Sequence, residues 1–135
     1  MIGLLVVAHG SLGDSLIECA THVLGQRPRH LLSLDLSSEA DPERLLARAR
    51  ERIAQLDEGD GVLILADIYG ATPCNTVCRL VQPGRVEAVA GASLPMLLKA
   101  ITYRGEPLPR LADHVVQGAR ESTFHIHAET CDAGA

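Results

Sequence analysis

Two continuous apolar runs, residues 2–8 (Ile-Gly-Leu-Leu-Val-Val-Ala) and residues 61–66 (Gly-Val-Leu-Ile-Leu-Ala), constrain the fold more than any other feature. Neither run alternates apolar with polar positions. Each therefore has the pattern of a strand covered on both faces, as in a parallel sheet. Helical periods separate such runs. Residues 11–24 place Leu12, Leu16, Ile17, Ala20, Val23 and Leu24 on one stripe that stops at Gly25. A second strand is expected over residues 30–36, after which Asp41 is a natural N-cap with Pro42 at the first helical position. That helix is expected to reach about Leu56, with Leu45, Leu46, Ala49, Ile53 and Leu56 inward and the arginines outward, and to end at Asp57-Glu58-Gly59.

The pattern continues past the second apolar run. A helix over residues 73–81 follows the turn Gly70-Ala71-Thr72, a fourth strand covers residues 86–91, and helices are expected over residues 94–103, with Pro95 in the first turn, and 108–121. Alternating strands and helices imply right-handed crossovers. The expected class is α/β: a doubly wound, mainly parallel four-stranded sheet with helices on both faces, as a single domain over residues 1–135. Ligands of such sheets sit at the carboxyl ends of the strands. The tail Thr123-Phe124-His125-Ile126-His127-Ala128 alternates like a short strand, and residues 129–135 are small and polar enough to fray.

Composition excludes several classes of function. Charged residues make up 21% of the chain, hydrophobic residues 47%, and the formal net charge is -5. No Lys/Arg cluster offers a surface that would track phosphates, which argues against nucleic acid as partner. The apolar runs fall far short of the roughly 20 residues that span a bilayer. The amino terminus enters a strand pattern without a basic region or cleavage signal, so a cytoplasmic protein is expected rather than an exported one. Cys19, Cys74, Cys78 and Cys131 are irregularly spaced, as befits reduced thiols. Cys74 and Cys78 would share a helix face and His125 and His127 a strand face, but two ligands alone make no metal site. No metal or cofactor is expected.

Two polar residues close two core strands: His9 after the first and Asp67 after the third. In a doubly wound sheet these strand ends flank the switch point and are neighbours. A carboxylate bonded to one imidazole nitrogen fixes the tautomer, leaves the other nitrogen a lone pair and stabilises the positive charge that develops on attack. The turn Ile68-Tyr69-Gly70-Ala71-Thr72-Pro73 offers backbone N–H groups and a hydroxyl at a helix N-terminus, and Gly10-Ser11-Leu12-Gly13 opens the first helix beside His9. Gly10, Ser11, Gly70, Ala71 and Thr72 are thus candidate phosphoryl-binding residues around a histidine nucleophile. Packing and capping roles compete with that assignment: Asp67 and Thr72 are also ordinary turn and cap residues.

Three segments carry a family resemblance: Leu5-Val6-Val7-Ala8-His9-Gly10, Leu65-Ala66-Asp67-Ile68-Tyr69-Gly70-Ala71-Thr72-Pro73-Cys74-Asn75, and Ala90-Gly91-Ala92-Ser93-Leu94-Pro95-Met96-Leu97-Leu98. In order and spacing the chain resembles the IIA component of the mannose family of the bacterial sugar phosphotransferase system. The resemblance implies that His9 accepts a phosphoryl group from HPr and hands it to an enzyme IIB, that Asp67 orients His9, and that Thr72 supplies the hydroxyl before the proline. It further implies a homodimer in which the last strand is exchanged between protomers, which would engage residues 123–128, and association with a membrane permease complex without membrane insertion. Ala71-Thr72-Pro73-Cys74-Asn75 departs from the usual Gly-Ser-Pro-Phe-Asn, and Ser11 stands where an aromatic residue often follows the His-Gly pair. Residues 6–11 are also similar to the opening of small tetrapyrrole metal chelatases, which need a second histidine at a later strand end, where this chain has Asp67. A regulatory binding protein switched by phosphorylation of His9 is the alternative from another class.

Overall fold

In the computed structural model, which describes residues 1–68 and 72–133, chain order runs β1 (Gly3–Ala8), α1 (Leu12–Leu24), β2 (Leu31–Asp35), α2 (Pro42–Leu56), β3 (Val62–Ala66), α3 (Thr72–Leu80), β4 (Val86–Ala90), α4 (Leu94–Thr102), α5 (Leu108–Glu121) and α6 (Ala128–Ala133). The strands form one parallel sheet in the order β2-β1-β3-β4. β1 therefore lies between β2 and β3, and every crossover is a helix.

The apolar runs are continuous because both faces of β1 and β3 are covered. Leu4, Val6 and Ala8 pack with Leu63 and Leu65 against α1, α4 and α5, through Ile17, Met96, Leu97, Leu111 and Val115. Leu5 and Val7 pack with Val62 and Ile64 against α2 and α3, through Leu45, Leu46, Leu56, Val77 and Leu80. Each side chain so buried contributes roughly 1.5–3 kcal/mol relative to exposure. Gly3 is required by this packing, since a Cβ there would lie 2.5 Å from the Leu56 Cβ.

Local signals set the helix ends. The Asp41 side chain accepts from the Glu43 N–H at 3.0 Å with Pro42 at the first position of α2, and Gly25 closes α1 in the left-handed conformation at φ 82°. Ser93 caps α4 by accepting from the Met96 N–H at 3.3 Å.

The carboxyl-terminal segment takes a different form in the single chain. The alternating residues 123–127 have no regular structure in the single chain, and Ala128–Ala133 is a short helix where a frayed tail was expected. A strand requires the N–H and C=O groups of a partner edge, and alternation supplies only the side-chain faces. Phe124 and Ile126 are accordingly 61% and 65% exposed. No described helix is long and apolar enough to cross a membrane.

Candidate active site

The register of the sheet brings three polar residues to adjacent strand ends. Ala8 lies opposite Asp35, the last residue of β2, and Val7 lies opposite Ala66, the last residue of β3. His9 follows β1 directly and Asp67 follows β3, its N–H donating to the Val7 carbonyl at 3.2 Å. The two residues paired from sequence are thus neighbours at the switch point, as expected.

His9 Nδ1 lies 2.8 Å from Asp67 Oδ2, and the same oxygen accepts the His9 backbone N–H at 2.9 Å. Asp67 Oδ1 accepts the Ile68 N–H at 2.8 Å. Burial opposes ionisation of Asp67, but the hydrogen bonds from the His9 ring and backbone, the charge on His9 and the Ile68 N–H together hold its carboxyl below the ordinary value. An ionised carboxylate only accepts, so Nδ1 carries the hydrogen and Nε2 of the neutral ring is a lone pair. The His9 side chain is 46% exposed against 11% for Asp67. The imidazole is half-exposed and the carboxylate bonded to it is largely covered.

Ser11 occupies the N-cap of α1 and makes no side-chain capping bond, while the Leu12 N–H donates to the His9 carbonyl at 3.3 Å. The first turn of a helix has N–H groups without intrahelical partners and a favourable field for anions, so α1 presents both beside His9. Gly10 adopts φ 59°, a left-handed conformation that glycine enters without steric cost. Its N–H donates to Asp35 Oδ1 at 2.8 Å. Gly10 thus shapes the turn after His9, and its N–H is already taken by Asp35. Gly70 and Ala71 lie outside the described residues. Thr72 begins α3.

Asp35 is the residue that sequence reasoning missed. The expected strand over residues 30–36 placed it inside the strand; β2 ends at Asp35, and the strand order sets it beside β1 opposite to β3. The other histidines lie elsewhere. His22 is in the last turn of α1, His30 precedes β2 and pairs with Glu58 at 2.9 Å, and His114 on α5 faces Glu106 at 3.2 Å. The rings of His125 and His127 are 4.2 Å apart in the tail. Asp67 occupies the later strand end at which a chelatase would carry its second histidine.

Known proteins are similar to this chain. The EIIA-man family, described as PTS system fructose IIA component, matches residues 3–115. The chain is 26% identical over 137 residues to the PTS system mannose-specific EIIAB component of Escherichia coli, covering 99% of this chain and 42% of that protein. It is 38% identical over 101 residues to the transcriptional regulatory protein LevR of Bacillus subtilis, covering 74% of this chain and 11% of LevR. The chain therefore spans well under half the length of either relative. The mannose/sorbose specific IIA subunit from Enterococcus faecalis superposes with a TM-score of 0.81 at 20% identity, covering 93% of this chain and 95% of that one. From strand order to the matched span, the chain belongs to the EIIA-man family of phosphotransferase-system IIA components.

Proposed function

We propose that this chain is a phosphocarrier in which His9 takes a phosphoryl group from phospho-HPr and passes it to an enzyme IIB of a sugar phosphotransferase system. The observation that carries this reading is the 2.8 Å contact between His9 Nδ1 and Asp67 in a side chain that is 46% exposed. The Nε2 lone pair attacks phosphorus as the bond from phosphorus to its donor atom on HPr breaks, and the donor keeps that electron pair. The ring, now bonded to phosphorus at Nε2 and to hydrogen at Nδ1, carries a positive charge that Asp67 balances across the short hydrogen bond. The reverse step onto IIB restores the neutral ring. The amino terminus of α1, Ser11 and the turn containing Gly70, Ala71 and Thr72 would stabilise the phosphoryl oxygens, which is most of what such a transfer requires.

Exposed Leu12 and Ile68 follow the two halves of the site in the chain and give it an apolar rim. Such a rim suits a protein surface as partner. Phosphoryl exchange with HPr places this work in the cytoplasm. Incubation with phosphoenolpyruvate, enzyme I and HPr should label His9 with an acid-labile, base-stable phosphate, and His9→Ala should take up none. Equal labelling of His9→Ala would refute the assignment.

The likeness to a transcriptional regulatory protein favours a second reading, in which phosphorylation at His9 switches a binding partner and no sugar is carried. Labelled protein that passes its phosphate to no IIB, yet changes its partners on phosphorylation, would establish that reading. For either role we propose a homodimer held by the tail, because the apolar alternation of Phe124 and Ile126 is exposed in the single chain. Truncation after Glu121 should shift the protein from dimer to monomer in sedimentation at micromolar concentration; a full-length monomer would contradict the dimer.

A further inference from the structure

The two peptides on either side of His9 are held by carboxylates from both flanking strands. On the β3 side the His9 N–H donates to Asp67, and on the β2 side the Gly10 N–H donates to Asp35 Oδ1 at 2.8 Å. Asp35 is itself held. Its Oδ1 also accepts the Ser37 N–H at 2.8 Å and the Ser37 hydroxyl at 2.6 Å, a local turn in which an aspartate bonds the backbone two residues on. The Ser37 hydroxyl and N–H, then the Gly10 N–H and the charge on His9, outweigh desolvation and keep the Asp35 carboxyl below its ordinary value. The proposed transfer uses Asp67 and leaves Asp35 without a task.

We propose that Asp35 is a positioning residue of the site, which holds the Gly10 N–H, locks the turn at Gly10 and so fixes the direction in which His9 presents Nε2. This rests on the phosphocarrier reading and adds a residue to it. Glycine at φ 59° has wide conformational freedom, and a Cβ at this position would meet nothing within 4 Å, so packing does not hold the turn. The hydrogen bond to Asp35 does. Asp67 fixes which nitrogen carries the lone pair, and Asp35 fixes where that lone pair points. In-line attack is sensitive to displacements of about 1 Å, so a loosened turn has a kinetic cost.

The test compares Asp35→Ala, Asp35→Asn and Ser37→Ala in the full chain. Asp35→Ala should slow phosphorylation of His9 by phospho-HPr by on the order of ten- to a hundred-fold, and Asp35→Asn, which keeps an acceptor oxygen for the Gly10 N–H, should recover most of that loss. Ser37→Ala, which keeps its own N–H, should show a smaller loss in the same direction and guards against an Asp35→Ala chain that fails to fold. In amide spectra of the unphosphorylated protein the Gly10 proton should shift as Asp35 takes up a proton in acid. If wild-type protein is labelled on His9 while Asp35→Ala is labelled equally fast, or if Asp35→Asn is as slow as Asp35→Ala, the positioning role is overturned. A Gly10 amide indifferent to acid overturns it too, and needs no phosphorylation. Wild-type protein that takes no label defeats the phosphocarrier reading instead.

Discussion

At the amino end of the sheet the Arg104 guanidinium donates to the carbonyls of Ile2 at 2.7 Å, Arg29 at 2.6 Å and His30 at 2.9 Å, whereas at the carboxyl end Asp67 and Asp35 accept from the N–H groups of His9 and Gly10. Both ends meet the same requirement, which is to satisfy backbone groups where strands begin or stop. Both use charge-assisted bonds from residues distant in sequence. The remainders differ. At the amino end the planar donor is spent on main-chain carbonyls, and burial pushes the Arg104 pKa down, as expected of a cation that desolvation disfavours. Even the strained His30, at φ 50°, is tied by its carbonyl to Arg104 and to the Leu4 N–H at 3.0 Å. At the carboxyl end the anions are spent, and one nitrogen of a half-exposed imidazole is left beyond the Asp67 bond. One end holds the sheet together, and the other holds an exposed imidazole in place.

This division can be broken from either side. The largest effect is expected at the carboxyl end. Asp67→Ala removes control of the His9 tautomer and the counter-charge to the developing cation, so phosphorylation of His9 should slow by on the order of a hundred-fold or more. Rapid-quench labelling by phospho-HPr measures this directly, and an unchanged rate would remove Asp67 from the mechanism. Next in size is Arg104→Ala, which takes the guanidinium donor from the carbonyls of Ile2 and Arg29 and leaves that of His30 with the Leu4 N–H alone. It should lower unfolding stability by about 2–3 kcal/mol, read as a shift in the urea midpoint at constant slope, with the folded protein still labelled at the wild-type rate. Arg104→Lys should recover little, because an ammonium cannot reach several carbonyls in one plane. A slowed transfer in folded Arg104→Ala would mean that the two ends are not separate in function.

Most of the fold was legible because its signals are local. The Asp41-Pro42 start of α2, the Gly25 stop of α1, and the Ser93 cap with Pro95 in the first turn of α4 each act within one turn of helix. The apolar runs of β1 and β3 announced a sheet covered on both faces, and strand order then brought His9 to Asp67. Asp35 and Arg104 were not legible in the same way. Each acts on backbone groups far away in the chain, 25 residues for Asp35 to Gly10 and 102 for Arg104 to Ile2. No period or motif marks such a pair until the strand order is known. The tail depends on something a single chain lacks: residues 123–127 carry strand alternation, and without a partner edge they form no strand.

The smallest effect is expected in acid, where the carboxyl end should weaken first. Asp67 titrates below its ordinary value of 3.8 in the folded chain, because the His9 and Ile68 hydrogen bonds outweigh burial. A depressed folded pKa means that the unfolded chain binds the proton more tightly, so the stabilisation is complete above the unfolded value, about pH 4, and fades as pH falls through the folded one. The stability difference between wild type and Asp67→Asn should therefore be largest near neutrality and should close below about pH 4. Arg104→Ala should show no such closing, since a guanidinium stays charged throughout that range. Urea titrations of the three proteins from neutral pH into acid make the comparison, and a wild-type advantage over Asp67→Asn that persists in strong acid would show that Asp67 steadies the site by shape rather than by charge.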